Sequence, residues 1–417
     1  MTYDKWMETL TEASSEVSLR DQVMGLERAH LLQNYARYPL VLSRGKGPYV
    51  YDTDGKKYLD FIAGIGVNAL GHAHPRITKV IRDQAARLIH TSNLYYHEYQ
   101  GRLAERIAKT SGLQRTFFCN SGTEATEGAM KVLRAHGTRL HPDKYEIISL
   151  ENSFHGRTLG ALSITGQHKY RKDFEPLIPG VRFVRLNDPG ALEEVFCEKT
   201  CGIIIEGIQG EGGIHPVAAE FARKARALCD KYNALYVADE IQCGVGRPGT
   251  YYSYQLFDPA LRPDVMVAAK PLGCGLPLGC ITTTESAASA IAPGMHGSTF
   301  GGNALACRVA LEFFDILDEL LPSIASTGAY FRMRLQEMAK KFAFVKEVRG
   351  AGLMIGMELN APCKQVVLDC IAEGLLINCT HDVVLRFLPP YIIGEREADA
   401  AVKILTKVLK NFRTEAN

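Results

Sequence analysis

A series of short, β-rich runs separated by stretches of helical periodicity constrains the fold of this chain more than any other feature. Strands connected by helices of this length form a mostly parallel sheet that is wrapped by helices. The sequence therefore predicts an α/β fold whose large domain is built on such a sheet. The runs, which all lie between residues 77 and 309, are TFFCN, YEIISL, VRFVRL, CGIIIEGI, ALYVADEI and DVMVAA.

The flanking segments predict a smaller α+β domain. The stretch PYVYDTDGKKYLDF has two β-rich runs around Asp54-Gly55, a turn that is typical of hairpins. After residue 309 come long helical segments, a glycine-punctuated strand pair around VRGAGLMIGMEL, and a closing helix. We expect residues 1–76 to form an arm and a hairpin that joins the small domain, residues 77–309 the large domain, and residues 310–417 the small domain.

The first 36 or so residues have a loose helical rhythm of charged and apolar positions, which include Trp6, Leu10 and Val23. This rhythm predicts a helical arm that docks on the rest of the protein. A partly disordered tail is the alternative interpretation.

Composition excludes several classes of function. Lys and Arg number 48 against 46 Asp and Glu, so the net charge of +2 offers no electrostatic footprint for nucleic acid or anionic lipid. No apolar stretch is long enough to span a bilayer, and the acidic N-terminus does not resemble a signal peptide. The 11 cysteines lack metal-binding spacing, so we expect no metal. We expect the cysteines to be reduced thiols. We expect a cytoplasmic protein with small-molecule partners.

Two charged residues stand at predicted strand ends. The apolar run Val265–Ala269 stops at Lys270 before the chain breaks into Pro and Gly, and the run LYVAD stops at Asp239. The carboxyl ends of parallel strands share one edge of a sheet, where ligands bind in open α/β folds. Lys270 and Asp239 are therefore candidate site residues, although a structural ion pair explains them equally well.

A possible anion cradle follows the run TFFCN. Ser121, Gly122 and Thr123 open a helix, where backbone N–H groups and hydroxyls can bind a phosphate. Ser121 and Glu124 also fit an ordinary capping box. Gly122 favours the anion interpretation, because a residue without a side chain lets the backbone approach a ligand closely.

Further loops carry groups of the same kind. ENSFHGRTLG offers an aromatic ring to stack on a flat cofactor and a guanidinium to bind a carboxylate, although surface packing would also explain them. HGSTFGGNALAC is a second anion cradle, and the apolar run VVLRFLPP contains one arginine, which must be paired if it is buried. The candidates are Phe154, His155, Arg157, Glu206, Glu211, Ser298, Thr299 and Arg386.

Pyridoxal phosphate chemistry requires this combination of groups. The cofactor's aldehyde condenses with a lysine amine, and a carboxylate beside its ring nitrogen keeps that nitrogen protonated, so that the ring withdraws electrons. The sequence therefore predicts pyridoxal 5'-phosphate as the cofactor, with Lys270 as the reactive amine.

From Pro39 to Ile393 the chain resembles the class III, ornithine-aminotransferase-like, pyridoxal-phosphate aminotransferases. That resemblance implies an aspartate-aminotransferase-like fold. Many motifs in the same order make it specific, although each one alone is weak. They are GVNALGHAHP, HTSNLYY, NSGTEA, FHGRTLGA, EGIQGEGG, ADEIQCGVGR, AKPLG, HGSTFGGNALAC, GLMIGMEL and LRFLPP.

The resemblance implies a role for each matching residue. Around the cofactor, Asp239 pairs with the ring nitrogen, Gln242 approaches the phenolic oxygen, Phe154 stacks on the ring, and Gly122 and Thr123 hold the phosphate. Thr299 is contributed by the other subunit, so the active site lies at the interface of a homodimer. Around the substrate, Arg157 binds the distal carboxylate with Ser298 close by, Arg386 binds the α-carboxylate of glutamate, and Glu211 covers Arg386 when the donor has no carboxylate there.

The expected activity is transfer of the terminal amine of N2-acetyl-L-ornithine to 2-oxoglutarate, as in arginine biosynthesis. Ornithine, succinylornithine, 4-aminobutyrate and a carrier-bound lysine are alternative donors, and side chains near Tyr95 and Tyr96 would distinguish them. A decarboxylase or aminomutase is the alternative reaction class. The chain departs from the family pattern at Gly207, Pro248 and Cys274, none of which removes an assigned chemical group.

Overall fold

The structure is a computed structural model that describes residues 17–257 and 261–412. In chain order its strands are β1 (Leu42–Lys46), β2 (Tyr49–Asp52), β3 (Lys57–Asp60), β4 (Arg115–Cys119), β5 (Glu146–Leu150), β6 (Val181–Val184), β7 (Thr200–Glu206), β8 (Ile208–Gln209), β9 (His215–Pro216), β10 (Leu235–Asp239), β11 (Val265–Ala268), β12 (Gly279–Thr283), β13 (Val345–Ala351), β14 (Met354–Leu359), β15 (Leu375–Leu376), β16 (Asn378–Thr380) and β17 (Val384–Phe387).

The helices surround these strands. They are α1 (Leu19–His30), α2 (Pro75–Ala85), α3 (Gln100–Ser111), α4 (Gly122–Leu140), α5 (Leu159–Ser163), α6 (His168–Arg171), α7 (Pro189–Val195), α8 (Ala219–Tyr232), α9 (Glu285–Ala288), α10 (Ala304–Ala339), α11 (Lys364–Ala372) and α12 (Glu395–Asn411). Short 3-10 segments cover Lys172–Phe174, Ser253–Leu256 and Lys270–Gly273. A left-handed turn at Ala63–Gly66 leads towards α2.

The central sheet has seven strands in the order β4-β12-β11-β10-β7-β5-β6. Neighbouring strands from β11 to β6 run parallel, as the alternation of strands and helices predicted. β12 runs antiparallel to both β11 and β4, and the sequence analysis missed it. Its residues, GCITT, include three β-branched residues that favour a strand, but the run is short and follows a Pro- and Gly-rich turn rather than a helix, so it was not recognised.

Helix α4 packs directly on this sheet and brings its N-terminus to the edge where β10 and β11 end. Its first turn has the predicted cap, because Ser121 Oγ accepts a hydrogen bond from the Glu124 backbone and Glu124 Oε2 accepts one from the Asn120 backbone. The close approach of α4 to the segment that leads into β5 depends on Gly137, where a Cβ would lie 2.0 Å from the carbonyl oxygen of Lys144.

Eight of the remaining strands form two four-stranded sheets, β13-β14-β17-β16 and β1-β2-β3-β15. The predicted hairpin forms, since β2 and β3 are antiparallel, and β3 pairs in parallel with β15 from the C-terminal part of the chain. The sequence expectation of reduced thiols was wrong at one pair. Cys363 and Cys379 are joined as a disulfide with their Cα atoms 6.2 Å apart.

Helix α1 lies within the predicted N-terminal arm and begins at Ser18, which caps it. Among the described residues none of this helix is buried, and Val23 and Met24 are half-buried, so the docking of the arm stays a prediction. Trp6 and Leu10 lie outside the described residues. Across residues 17–257 and 261–412, no helix is both long and apolar enough to cross a membrane.

Candidate active site

A cavity of about 560 Å³ opens at the carboxyl ends of β10 and β11. Asp239 is the last residue of β10, and Lys270 follows β11 by two residues, so the strand-end argument placed both at the correct edge. The cavity brings together side chains from well-separated loops. The sequence-predicted residues that line it are Ser121, Gly122, Thr123, Phe154, His155, Arg157, Glu206, Asp239, Gln242 and Lys270.

Lys270 occupies an unusual environment for a lysine. Its backbone takes a positive φ of 45°, which costs free energy for any residue except glycine and is common at functional sites. Burial lowers the pKa of its amine, and the charge of Arg386 lowers it further. The acids Glu211, Asp239 and Glu206 raise this pKa but do not cancel the lowering. The side chain makes no ion pair within the described residues. Lys270 is therefore suited to act as a nucleophile and a base.

Asp239 is held by a buried histidine. Its Oδ2 lies 2.7 Å from His155 Nδ1, and its Oδ1 accepts a hydrogen bond of 3.0 Å from the backbone of Ile241. Both side chains are almost completely buried. The contact between His155 and Asp239 was not predicted, because 84 residues separate them in the chain.

Glu206 is a second buried acid at the cavity. Burial raises its pKa to about 7, and the charge of Asp239 acts in the same direction, whereas His155 opposes it. Its two oxygens accept hydrogen bonds from the backbone of Phe154, at 3.0 Å, and of Gly210, at 3.2 Å. The sequence analysis noted Glu206 at a strand end but assigned it no role. The structure shows that it ties together two loops of the site.

Arg386 lies on β17, is 1% exposed, and is neutralised by Glu211. Its Nη1 donates to Glu211 Oε1 at 2.5 Å and to Gln242 Oε1 at 3.1 Å. Burial by itself would raise the pKa of Glu211. The charge and hydrogen bond of Arg386, the charge of Lys270 and the hydrogen bond from Gln242 together outweigh burial, so this pKa lies below its usual value. The two side chains therefore form a charged, buried pair beside the cavity.

Arg157 has the opposite character. Its side chain is exposed, and it forms no ion pair in the part of the chain that the structure describes. The guanidinium carbon lies 3.9 Å from the centre of the Tyr170 ring and 5.4 Å from that of Phe154. Two aromatic faces thus support an unpaired cation at the cavity mouth. The sequence analysis did not consider Tyr170, since α6 is a short surface helix with no motif of its own.

Five predicted residues do not line the cavity of a single chain: Glu211 and Arg386, which lie beside it, and Ser298, Thr299 and Tyr95. Ser298 lies close to it, since its Oγ accepts hydrogen bonds from Asn120 Nδ2, at 3.1 Å, and from the backbone of Gly301, at 3.0 Å. Thr299 is exposed, and so is Tyr95, at 70%. Neither Thr299 nor Tyr95 makes contact with the cavity from its own chain.

Strand-end lysine, buried aspartate and two guanidinium groups around one cavity define an amino-group transfer site, and comparison with known families agrees. Residues 32–409 match the model of the family described as aminotransferase class-III. The chain belongs to the class III aminotransferases, and as such it acts on a small-molecule amino donor and acceptor.

Individual relatives are similar over almost the full length. Acetylornithine aminotransferase of Aquifex aeolicus is 47% identical over 383 residues, which cover 91% of this chain and 100% of that protein. Acetylornithine aminotransferase of Methanocaldococcus jannaschii is 46% identical over 391 residues, 93% of this chain and 98% of that one. A solved structure of ornithine aminotransferase from Toxoplasma gondii, described as having partial occupancy of PLP at its active site, superimposes with a TM-score of 0.91 at 32% identity and 97% coverage of both chains.

Proposed function

We propose that this aminotransferase moves the terminal amine of N2-acetyl-L-ornithine to 2-oxoglutarate, giving N-acetyl-L-glutamate 5-semialdehyde and L-glutamate. The observation that carries the proposal is the contrast between its two arginines. Arg157 is exposed and has no ion-pair partner among the described residues, whereas Arg386 is buried and neutralised by Glu211. A site of this kind binds a donor with one carboxylate at Arg157. It also binds a dicarboxylate when Glu211 leaves Arg386. The names of the two relatives support the choice of donor.

The residues of the cavity fit pyridoxal 5'-phosphate. When it is bound, this cofactor supplies an aldehyde that takes up the amine and a protonated ring that withdraws electrons. Gly122 and Thr123 would hold its phosphate, since they begin α4, where free N–H groups face the cavity. A Cβ at Gly122 would lie 2.8 Å from Ile241, so the backbone there has no room for a side chain.

Other side chains would bind the ring. Asp239, oriented by His155, would pair with the ring nitrogen. Phe154 would stack on the ring face, and Gln242 would donate to the phenolic oxygen. Ser121 lies beside the phosphate-binding turn as the cap of α4.

Lys270 would transfer a proton between the substrate carbon and the cofactor carbon. Because burial lowers its pKa, its amine more readily takes the neutral form that accepts a proton from the substrate. Buried residues, which include Ala269 and Leu278, line one side of the cavity, whereas Arg157, Gly275 and Pro277 are exposed at its open side.

A second copy of the chain would complete the site. Thr299 is exposed beside the exposed Phe300, and Tyr95 lies in an exposed run with Leu94 and Tyr96. In a homodimer, Thr299 of one protomer would reach the phosphate held by its partner. The domain division at residues 76 and 309 and a cytoplasmic location remain predictions.

A spectral half-reaction tests the donor. The purified holoenzyme is mixed, without a keto acid, with acetylornithine, ornithine, 4-aminobutyrate or succinylornithine, and the absorption of the bound cofactor is followed over time. We expect acetylornithine to have the largest rate per unit concentration. A clearly faster reaction with another amine would reject the donor while leaving the reaction class intact. Carbon dioxide release, or turnover without a keto acid, would reject the class.

A further inference from the structure

Strand β16 contacts both members of the Glu211–Arg386 pair. Asn378 Oδ1 accepts a hydrogen bond of 3.1 Å from Arg386 Nε, and Thr380 Oγ1 donates one of 2.8 Å to the backbone oxygen of Glu211. Arg386 is therefore held on two sides, by an acid on one and by a neutral amide on the other. Thr380 fixes the loop that carries the acid.

The register of the sheet explains this arrangement. Asn378 and Thr380 are two residues apart on one strand, so their side chains share a face, and Asn378 stands directly opposite Arg386 on β17. Cys379, between them, points to the other face. There it is bonded to Cys363, the residue that precedes α11.

The disulfide adds a covalent constraint to a short strand whose following turn is also held by backbone hydrogen bonds from Cys363 and Leu359. β16 has three residues, lies at the edge of its sheet, and pairs with β17 alone. The turn that follows contains His381 and Asp382, both with left-handed backbone angles. A short edge strand next to a strained turn is mobile unless something else holds it.

We propose that Asn378 and Thr380 are positioning residues that set substrate choice, and that the Cys363–Cys379 disulfide keeps their strand in place. The inference rests on the proposed function, because it assumes that Glu211 leaves Arg386 when a dicarboxylate binds. At that moment Asn378 keeps the guanidinium oriented without adding a negative charge that would repel the substrate. When the donor has no carboxylate there, Thr380 keeps Glu211 within reach of Arg386.

The two residues therefore make opposite predictions. In Asn378→Ala, the glutamate half-reaction loses about tenfold or more in kcat/KM, mainly through KM, while the terminal-amine half-reaction changes little. Asn378→Asp gives a larger loss with glutamate, because a fixed carboxylate competes with the substrate. In Thr380→Val, the terminal-amine half-reaction loses more. Asn360→Ala, which alters an exposed asparagine beyond β14, serves as the matched control.

Reduction of the disulfide tests the anchor. A dithiol such as dithiothreitol delivers two electrons and two protons to the Cys363–Cys379 bond, which becomes two thiols, while the dithiol closes to its own cyclic disulfide. We expect the reduced holoenzyme and Cys363→Ser to show the same altered ratio of the two half-reactions. Cys370→Ala, a buried free cysteine on α11, is the control and should retain the ratio of the untreated protein.

Single-turnover kinetics of both half-reactions decide the matter, with circular dichroism and peptide mass mapping to confirm folding and the disulfide. Equal losses in both half-reactions, or no loss, in Asn378→Ala would overturn the positioning role. An unchanged ratio after reduction would overturn the anchor. If acetylornithine proves not to be a donor while glutamate still responds to Asn378, the proposed donor fails and this inference stands.

Discussion

At the scale of single residues, the chemistry depends on one amine in a restricted environment. Lys270 has a strained backbone, a lowered pKa and no ion pair among the described residues. A half-buried lysine without an ion-pair partner among the described residues is costly in free energy, and such groups are concentrated at functional sites. The interpretation of Lys270 as a structural ion-pair partner of Asp239 is therefore not supported, because Asp239 contacts His155 instead.

We predict that Lys270→Ala abolishes turnover. The change removes the group that transfers the proton, so kcat should fall by at least about 10²- to 10⁴-fold, while the protein still folds. Steady-state transamination and circular dichroism measure the two effects. Lys403→Ala, an exposed lysine on α12, is the control. Turnover retained in Lys270→Ala would remove the basis of the assignment.

A second prediction concerns the buried charge of Arg386. Glu211→Gln keeps the shape of the side chain but leaves Arg386 without its counter-charge. The terminal-amine half-reaction should therefore suffer more than the glutamate half-reaction, in which the substrate's own carboxylate compensates the arginine. Single-turnover rates of each half-reaction measure this, with the exposed Glu220→Gln as control. Equal losses would contradict the proposed exchange of partners.

At the level of secondary structure, two consecutive acids at the end of β10 have different roles. Asp239 lines the cavity, whereas Glu240 is buried and accepts hydrogen bonds from the backbone and hydroxyl of Ser253, at 2.6 and 2.7 Å, and from the backbone of Tyr254, at 3.1 Å. Glu240 thus joins the strand to the 3-10 segment Ser253–Leu256. Burial raises its pKa to about 7 although these bonds oppose the shift.

Glu240 should make stability depend on pH. Because its folded pKa exceeds that of the unfolded chain, the folded protein binds an extra proton, and that stabilisation is complete below about pH 4.5 and lost as pH rises through about 7. Relative to Glu240→Gln, wild-type protein should lose roughly 1 to 3 kcal/mol of unfolding free energy between pH 5 and 8.

Urea unfolding at fixed protein concentration, repeated across this pH range, measures the effect. Glu220→Gln serves as the control because its carboxylate is exposed. Parallel pH profiles for wild type and Glu240→Gln would show that the carboxyl of Glu240 titrates alike in the folded and unfolded states.

At the scale of the whole molecule, an exposed apolar patch accompanies the incomplete site. The exposed fractions are 84% for Leu94, 70% for Tyr95, 104% for Tyr96 and 62% for Phe300. An exposed apolar patch of this kind marks an interface. Its position next to Thr299 supports the proposed homodimer, in which each protomer completes the site of its partner.

We predict that Tyr96→Glu weakens the dimer and, with it, the activity. A charge placed in an apolar interface costs desolvation energy, so light scattering should show monomers, and specific activity should fall further on dilution. Leu140→Glu, which adds the same charge at an exposed position at the end of α4, should leave the mass unchanged. A fully active monomer would contradict a shared active site.

Several features of the fold and of the site could be predicted from local signals in the chain. Alternating strand and helix periodicity indicated the parallel part of the central sheet, and turn residues indicated the hairpin at Asp54-Gly55 and the cap at Ser121. Strand ends marked Lys270 and Asp239, a glycine-containing loop marked Arg157, and an apolar run marked Arg386, while motif order indicated the family. Each of these signals depends on neighbouring residues, so it can be recognised from the sequence alone.

The contacts between segments that are distant in the chain could not be predicted from local signals. The insertion of β12 between β4 and β11, the support of Asp239 by His155, the stacking of Arg157 on Tyr170 and the joining of Cys363 to Cys379 are long-range contacts. No local pattern specifies them, because packing, burial and register select among many pairings that the sequence allows equally. The environment that lowers the pKa of Lys270 arises in the same way, from charges that fold together only in the complete molecule.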